Sequence, residues 1–175
     1  LILVDDASTD DSALVIESYC QKDSRIKLFK QTVNAERGAA RNRGIEESKG
    51  KKICFLDSDD AFCPNHLETF YNDIEKHPAS ALRFTNSYLL VNNAPMIEKK
   101  VPDIKQWNVF SYLLIYTPNP ARVCVDREIF ESFKYDPSIP GLEDIDLWLR
   151  IATRFPLRQL NEYTNIYNVH EGSYT

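Results

Sequence analysis

The stretch that most constrains this chain is Phe55-Leu56-Asp57-Ser58-Asp59-Asp60, where an apolar run from Ile53 to Leu56 stops abruptly at a cluster of acids. The run reads as a buried parallel strand. The acids then fall at its C-terminal end, where open α/β sheets bind their ligands. Carboxylates crowded there repel one another unless a cation joins them. Aspartates in this setting suit a hard divalent ion carrying a phosphorylated substrate. A strand followed by an acidic turn is the competing reading, since Asp is also a common turn former.

A second strand end strengthens the first reading. Leu1-Ile2-Leu3-Val4 runs straight into Asp5-Asp6-Ala7-Ser8-Thr9-Asp10. Two buried strands that both end in paired acids are expected on one edge of the same sheet, forming a cleft. Asp5 or Asp6 can accept from the N–H of a nucleobase. Helix capping competes here, because Ser8, Thr9, Asp10 or Asp11 can cap the helix that follows. Both hold together if Asp10 or Asp11 caps and Asp6 meets the ligand.

Composition narrows the classes. The chain has 175 residues, 43% hydrophobic and 27% charged, enough for one α/β domain with a substantial core. Net charge is −5, and no Lys/Arg block interleaves with aromatics, which argues against nucleic acid as a partner. No apolar run is long enough to span a bilayer. Cys20, Cys54, Cys63 and Cys124 form no C-x-x-C pair, so zinc-ribbon and thioredoxin-like readings fail. They are expected as reduced thiols, with Cys54 a small core residue. The chain opens inside an apolar strand with neither Met nor a polar lead-in, so truncation at its first strand is expected.

The pattern predicts helices over 12–21, 36–48, 64–76, 107–115, 127–133 and 142–153. Strands are predicted over 26–29, 53–56, 81–91, 121–125, 157–160 and 165–169. The alternation in the first half argues a parallel or mixed sheet with helices on its faces. His66 and His77 bracket one helix and read as surface residues.

Taken in order, Val4-Asp5-Asp6-Ala7-Ser8-Thr9-Asp10, Gly38-Ala39-Ala40-Arg41-Asn42-Arg43-Gly44, Phe55-Leu56-Asp57-Ser58-Asp59-Asp60 and Glu143-Asp144 resemble the family 2 inverting glycosyltransferases. The resemblance runs from residue 1 to about residue 173. It implies the GT-A fold, a nucleotide-diphospho-sugar transferase α/β fold with a mixed, mostly parallel sheet and helices on both faces. It places a nucleotide-binding half in 1–91 and an acceptor-binding half in 92–175. It implies a metal-dependent, inverting, hexosyltransferase-type transfer from a nucleotide-sugar, a UDP-sugar by preference, to an acceptor hydroxyl. The implied acceptor is a glycan or lipid-linked glycan, with a role in surface glycan synthesis. Location is then cytoplasmic, with peripheral association at the inner membrane face allowed.

The resemblance also assigns roles. Asp6 would contact the base and Asp57 a ribose hydroxyl. Asp59 would ligate Mn²⁺ or Mg²⁺, which neutralises charge on the leaving diphosphate. Arg41 would contact the base or diphosphate; an ion pair with Glu46 or Glu47 is its bland alternative. Asp144 would be the base that takes the acceptor proton, with Glu143 flanking it and raising its pKa. First-turn acids favoured by the helix dipole are the competing account of both. Trp148 reads as core or as acceptor-pocket lining, and His170 as a metal ligand or a structural histidine. The family usually carries glycine two residues beyond Asn34, and here that place is Glu36. No Gln-x-x-Arg-Trp sequence follows Asp144, which favours single addition over processive synthesis. Two other functions compete: a sugar nucleotidyltransferase and a non-catalytic nucleotide-sugar-binding fragment.

Overall fold

The structure, a computed structural model, describes residues 1–92 and 94–170. β1 (Ile2–Asp5) and β2 (Lys27–Lys30) pair in parallel, from Ile2↔Lys27 to Asp5↔Lys30. They are joined through α1 (Ser12–Lys22). These two strands form their own sheet. The larger sheet is six-stranded and runs β3 (Lys52–Cys54), β7 (Val123–Asp126), β5 (Leu82–Val91), β8 (Leu157–Val169), β4 (Ala61–Phe62), with β6 (Ile97–Lys99) on β5.

The expected α/β class is present, but the strand directions differ from expectation. β5 and β8 are parallel, as are β1 and β2. The β3–β7, β5–β7, β4–β8 and β5–β6 pairs are antiparallel. The 53–56 run therefore lies in an antiparallel pair, and it leaves the ladder after Cys54, with Leu56 exposed. A strand covered on both faces is apolar whichever way its neighbour runs, so hydropathy could not tell. Nor do Asp6 and Asp57 end strands of one sheet, since no ladder joins β1 to β3 among the described residues.

The predicted helices appear as α1, α2 (Glu36–Glu47), α3 (His66–Lys76), α4 (Val109–Tyr116) and α5 (Glu143–Ala152). Residues 127–131 form only a 3-10 turn. The two late strands are one, β8, whose pairing to β5 is irregular between Phe84 and Ser87. Thr164, inside the predicted break, is fully buried against Thr85 of β5, so the strand runs on through polar residues where hydropathy suggested a gap.

The main core joins Leu82, Phe84, Val123 and Val125 of the sheet to Leu113 of α4 and Leu147, Trp148 and Ile151 of α5. Each large side chain buried there contributes about 1.5–3 kcal/mol. Trp148 is wholly buried and donates from Nε1 to the Pro118 carbonyl at 3.0 Å, which makes it core. α2 covers the other flank: Ile45 joins Ile53 and Phe55 in that core, while Gly44 lies over Val4 of β1. One helix thus rests on both sheets.

His66 corrects the sequence reading. It is 1% exposed, with its ring stacked 3.6 Å from Phe62 and Nδ1 within 3.1 Å of the Thr164 carbonyl. Burial pushes its pKa down to about 4. The cause is β4, a two-residue strand too short to leave a hydropathy signal. His77 is exposed as expected. All four cysteines are free thiols; Cys54 faces Cys124 across β3–β7 and packs with Phe70 and Leu160.

Candidate active site

α5 presents its acids because its sequence fixes both its start and its face. Gly141 takes φ +83°, a left-handed turn that suits glycine, just before the helix begins. Glu143, Asp144 and Asp146 then occupy the first turn, where the dipole favours anions. Leu147, Trp148 and Ile151 continue the face of Glu143 and Asp144 one and two turns on and anchor it in the core.

Arg41, midway along α2, reaches into this turn. Its side chain is 7% exposed. Nη2 donates to Asp57 Oδ1 at 3.0 Å and Oδ2 at 2.8 Å. Nη1 donates to Asp144 Oδ1 at 3.1 Å and to Glu143 Oε1 at 3.4 Å. Arg37, one turn earlier, adds a contact to Glu143 Oε1 at 3.3 Å. Residues 41, 57, 143 and 144 are thereby brought together. The bland alternative for Arg41 fails: Glu46 pairs with Lys134 and Glu47 with Arg43.

The electrostatics follow from this packing. Burial pushes the Asp144 carboxyl up; Arg41 opposes it, Glu143 and Asp57 reinforce it, and Arg37 opposes it weakly, leaving a pKa of about 7. Burial also works against the Arg41 charge, but Asp144 and Asp57 outweigh it and hold the guanidinium above its ordinary value. Glu143 Oε2 and Arg41 Nε are buried and find no hydrogen-bond partner among the described residues.

Asp59 and His170 form a second, outer group. Asp59 Oδ2 lies 3.3 Å from His170 Nε2, with side chains 41% and 45% exposed. Asp60 accepts from the Asn168 N–H at 3.0 Å, which ties the acidic turn to β8. Burial, with Asp59 and Asp57 adding to it, pushes the Asp60 carboxyl up to about 6. No cluster of three or more His, Cys, Asp or Glu able to hold a metal occurs among the described residues. An accessible carboxylate beside an imidazole still suits an ion that takes its remaining ligands from substrate phosphates.

Asp6 is tied to the start of α2. Its Oδ1 accepts from Gln31 Nε2 and from the Ala35 N–H at 2.9 Å, where that helix begins. Asp5 turns inward and accepts from the Ser8 N–H at 3.3 Å. Asp10 takes the helix-start role, accepting from the Ser12 N–H at 2.9 Å; Asp11 makes no side-chain cap. Glu36, where glycine was expected, takes φ +70°, and Ala7 takes φ +60°. The backbone at Glu36 therefore keeps a left-handed conformation without the residue that adopts it freely.

Tyr135 is the neighbour that sequence reasoning missed. Its ring is 2% exposed, and the Arg41 guanidinium lies 5.5 Å from its centroid. Asn42 holds its backbone on both sides, donating to the Tyr135 carbonyl at 2.8 Å and accepting from its N–H at 3.0 Å. Burial and the nearby Asp144 charge push the Tyr135 hydroxyl well up. The available signals were an aromatic inside a Pro- and Gly-punctuated loop, and an asparagine inside a helix, which it favours little.

Comparisons with known proteins bear on family and fold. Residues 1–119 match the sequence profile of Glycosyl transferase family 2. An uncharacterised glycosyltransferase of Methanocaldococcus jannaschii is 28% identical over 173 residues, covering 97% of this chain and 59% of that protein. The putative teichuronic acid biosynthesis glycosyltransferase TuaG of Bacillus subtilis is 26% identical over 174 residues, covering 99% and 68%. Among solved structures, S. aureus TarS 1-349 in complex with UDP-GlcNAc superposes with a TM-score of 0.79 at 20% identity, over 98% of this chain and 50% of that one. The chain spans about half to two thirds of these three proteins but only 29% of an uncharacterised glycosyltransferase of Rickettsia felis, and its fold is the GT-A fold of TarS. The profile match sets aside the nucleotidyltransferase alternative. With a match over more than half its length, this chain belongs to glycosyl transferase family 2.

Proposed function

We propose that the chain carries the donor site and the base of an inverting glycosyltransferase that moves a hexose from a UDP-sugar to an acceptor hydroxyl. One observation carries the reading: a buried carboxyl, Asp144, with a pKa of about 7, joined through Arg41 to the acidic strand end at Asp57. A base poised near neutrality is what proton abstraction from a hydroxyl needs. TarS, which shares the fold, is seen with UDP and with UDP-GlcNAc, which supports a uridine nucleotide as donor.

Asp144 takes the acceptor proton as the acceptor oxygen attacks the anomeric carbon. The bond from that carbon to the diphosphate oxygen breaks, and its electron pair leaves with the nucleoside diphosphate. Attack opposite the leaving group inverts the centre. Asp57 orients the ribose and Asp6 the base. Glu143 keeps a second negative charge beside Asp144 and so holds its proton affinity up. Asp59 and His170 are the residues that would hold Mn²⁺ or Mg²⁺, which would neutralise charge on the diphosphate. The sequence after Asp144 favours single addition, and the TuaG likeness favours a surface polysaccharide as product. Among the described residues no helix is long and apolar enough to cross a membrane. A cytoplasmic enzyme working at the inner membrane face on a lipid-linked glycan accords with these readings.

The test is UDP release and sugar transfer from UDP-sugars with Mn²⁺, comparing the parent with Asp144→Asn and Asp59→Ala. Loss in both supports the assignment; full activity in both removes it. Because the chain spans only part of its relatives, binding without transfer is the second reading. UDP binding by calorimetry with no product from any acceptor would favour it.

A further inference from the structure

We propose that Arg41 is a positioning residue: it locks the donor-side carboxylate Asp57 to the base Asp144 and fixes where that base stands. The inference rests on the reading of Asp144 as the base. Family resemblance pointed Arg41 at the nucleotide, but the geometry commits it elsewhere. A guanidinium has five N–H donors. The two on Nη2 reach both Asp57 oxygens, at 3.0 and 2.8 Å. Those on Nη1 reach Asp144 at 3.1 Å and Glu143 at 3.4 Å. The fifth, on Nε, is buried. The planar fork thus spans two segments that no backbone pairing connects, the turn after β3 and the first turn of α5.

The side chain is held from below as well as in front. Tyr135 lies under the guanidinium at 5.5 Å, and Asn42 fixes the Tyr135 backbone. A Cβ added to Gly38 would meet Tyr135 Cβ and Pro137 Cα at 3.6 Å, so α2 runs close against this loop. The charges facing Asp144 are Arg41 and Arg37 from α2, Asp57 from the turn, Glu143 from its own helix, and the Tyr135 hydroxyl from the loop. Of the two cations, only Arg41 is buried; Arg37 is 42% exposed. Water screens an exposed charge more than a buried one, so Arg41 is the main counter-charge to three carboxylates.

The test separates positioning from nucleotide contact. An opposite charge this close lowers a carboxyl pKa by about 1–3 units. Titration of the Asp144 carboxyl by ¹³C NMR needs no activity, so it decides the inference even if the enzyme reading fails. The parent midpoint is expected near 7. In Arg41→Gln it should rise by about 1 unit or more. In Arg41→Lys, which keeps the charge but not the fork, it should return to within about 0.5 unit of the parent. An unmoved midpoint in Arg41→Gln overturns the proposal. If that variant does not fold, Asp57→Asn is the second readout: the guanidinium then serves Asp144 more fully, the midpoint should fall by about 0.5 unit or more, and no fall overturns it.

Kinetics with UDP-GlcNAc and Mn²⁺ supply the other arm. Arg41→Lys should lower kcat about 10- to 100-fold through misplacement of the base, with donor KM little changed. A raised donor KM with kcat and its pH dependence unchanged would make Arg41 a nucleotide contact instead and overturn the proposal. A parent that releases no UDP counts against the proposed function, not against the titration result.

Discussion

The two acidic groups of this site are built in opposite ways. The inner one, Asp57, Glu143 and Asp144, is packed against Arg41 and satisfied by the protein's own cation. The outer one, Asp59 with His170, is close to half exposed and has an imidazole beside it. An inner carboxyl withdrawn from water has a proton affinity set by fixed neighbours, which suits proton transfer. An outer carboxylate in contact with solvent can take a partner that arrives and leaves with the substrate. The turn that carries Asp57 and Asp59 thus faces a dry, paired setting on one side and a wet, open one on the other.

Disabling each group in turn sharpens this division. The largest effect is expected from Asp144→Asn, which should cost 10²–10⁴-fold in kcat, read by product formation under saturating donor. Asp59→Ala should lose about 100-fold or more, together with the response to added Mn²⁺. It should nevertheless leave the acid limb of the pH profile in place; a displaced limb would show that the two groups are not independent. In the parent, the proposed role of Asp144 as base requires kcat/KM to climb about tenfold per unit below pH 7 and flatten above it.

A smaller effect is thermodynamic. Burial raises the folded-state pKa of Asp144 to about 7, above the ordinary carboxylate range, so the folded chain holds this proton more tightly than the unfolded one. Its contribution to stability is fullest below about pH 4 and is lost as pH rises through about 7. Asp144→Asn should then stabilise the protein at pH 8 by about 1 kcal/mol, measured by urea denaturation, while removing activity. The least effect is expected at Glu36. Glycine there should relieve the φ of +70° and stabilise by about 1 kcal/mol. Thermal melts that show a loss instead would mean that the glutamate side chain earns its place.

Much of this was legible in the sequence, for reasons that differ by residue. Helix α5 was readable because Leu147, Trp148 and Ile151 form one stripe behind a first turn of acids. The strand end at Asp57 was readable because an apolar run stops there. Strand direction was not, since burial on two faces looks alike in either sense. Nor was the environment of His66, which depends on a two-residue strand and on Thr164 almost a hundred positions away. Arg41 was singled out by its motif, yet its partners were misjudged. Nearness in sequence suggested Glu46 and Glu47, which at five and six residues on are off its helical face, whereas the fold supplies carboxylates from two other segments.

Asn42 has a consequence for what this chain can tolerate. A primary amide offers one hydrogen-bonding edge with a donor and an acceptor side by side, the same face that a neighbouring strand would present to Tyr135. Aspartate has the shape but would set an oxygen against the Tyr135 carbonyl; leucine has the bulk but would leave both peptide groups stranded. The aromatic floor beneath the guanidinium is thus moored by a side chain imitating a backbone, and the position has almost no chemical synonyms.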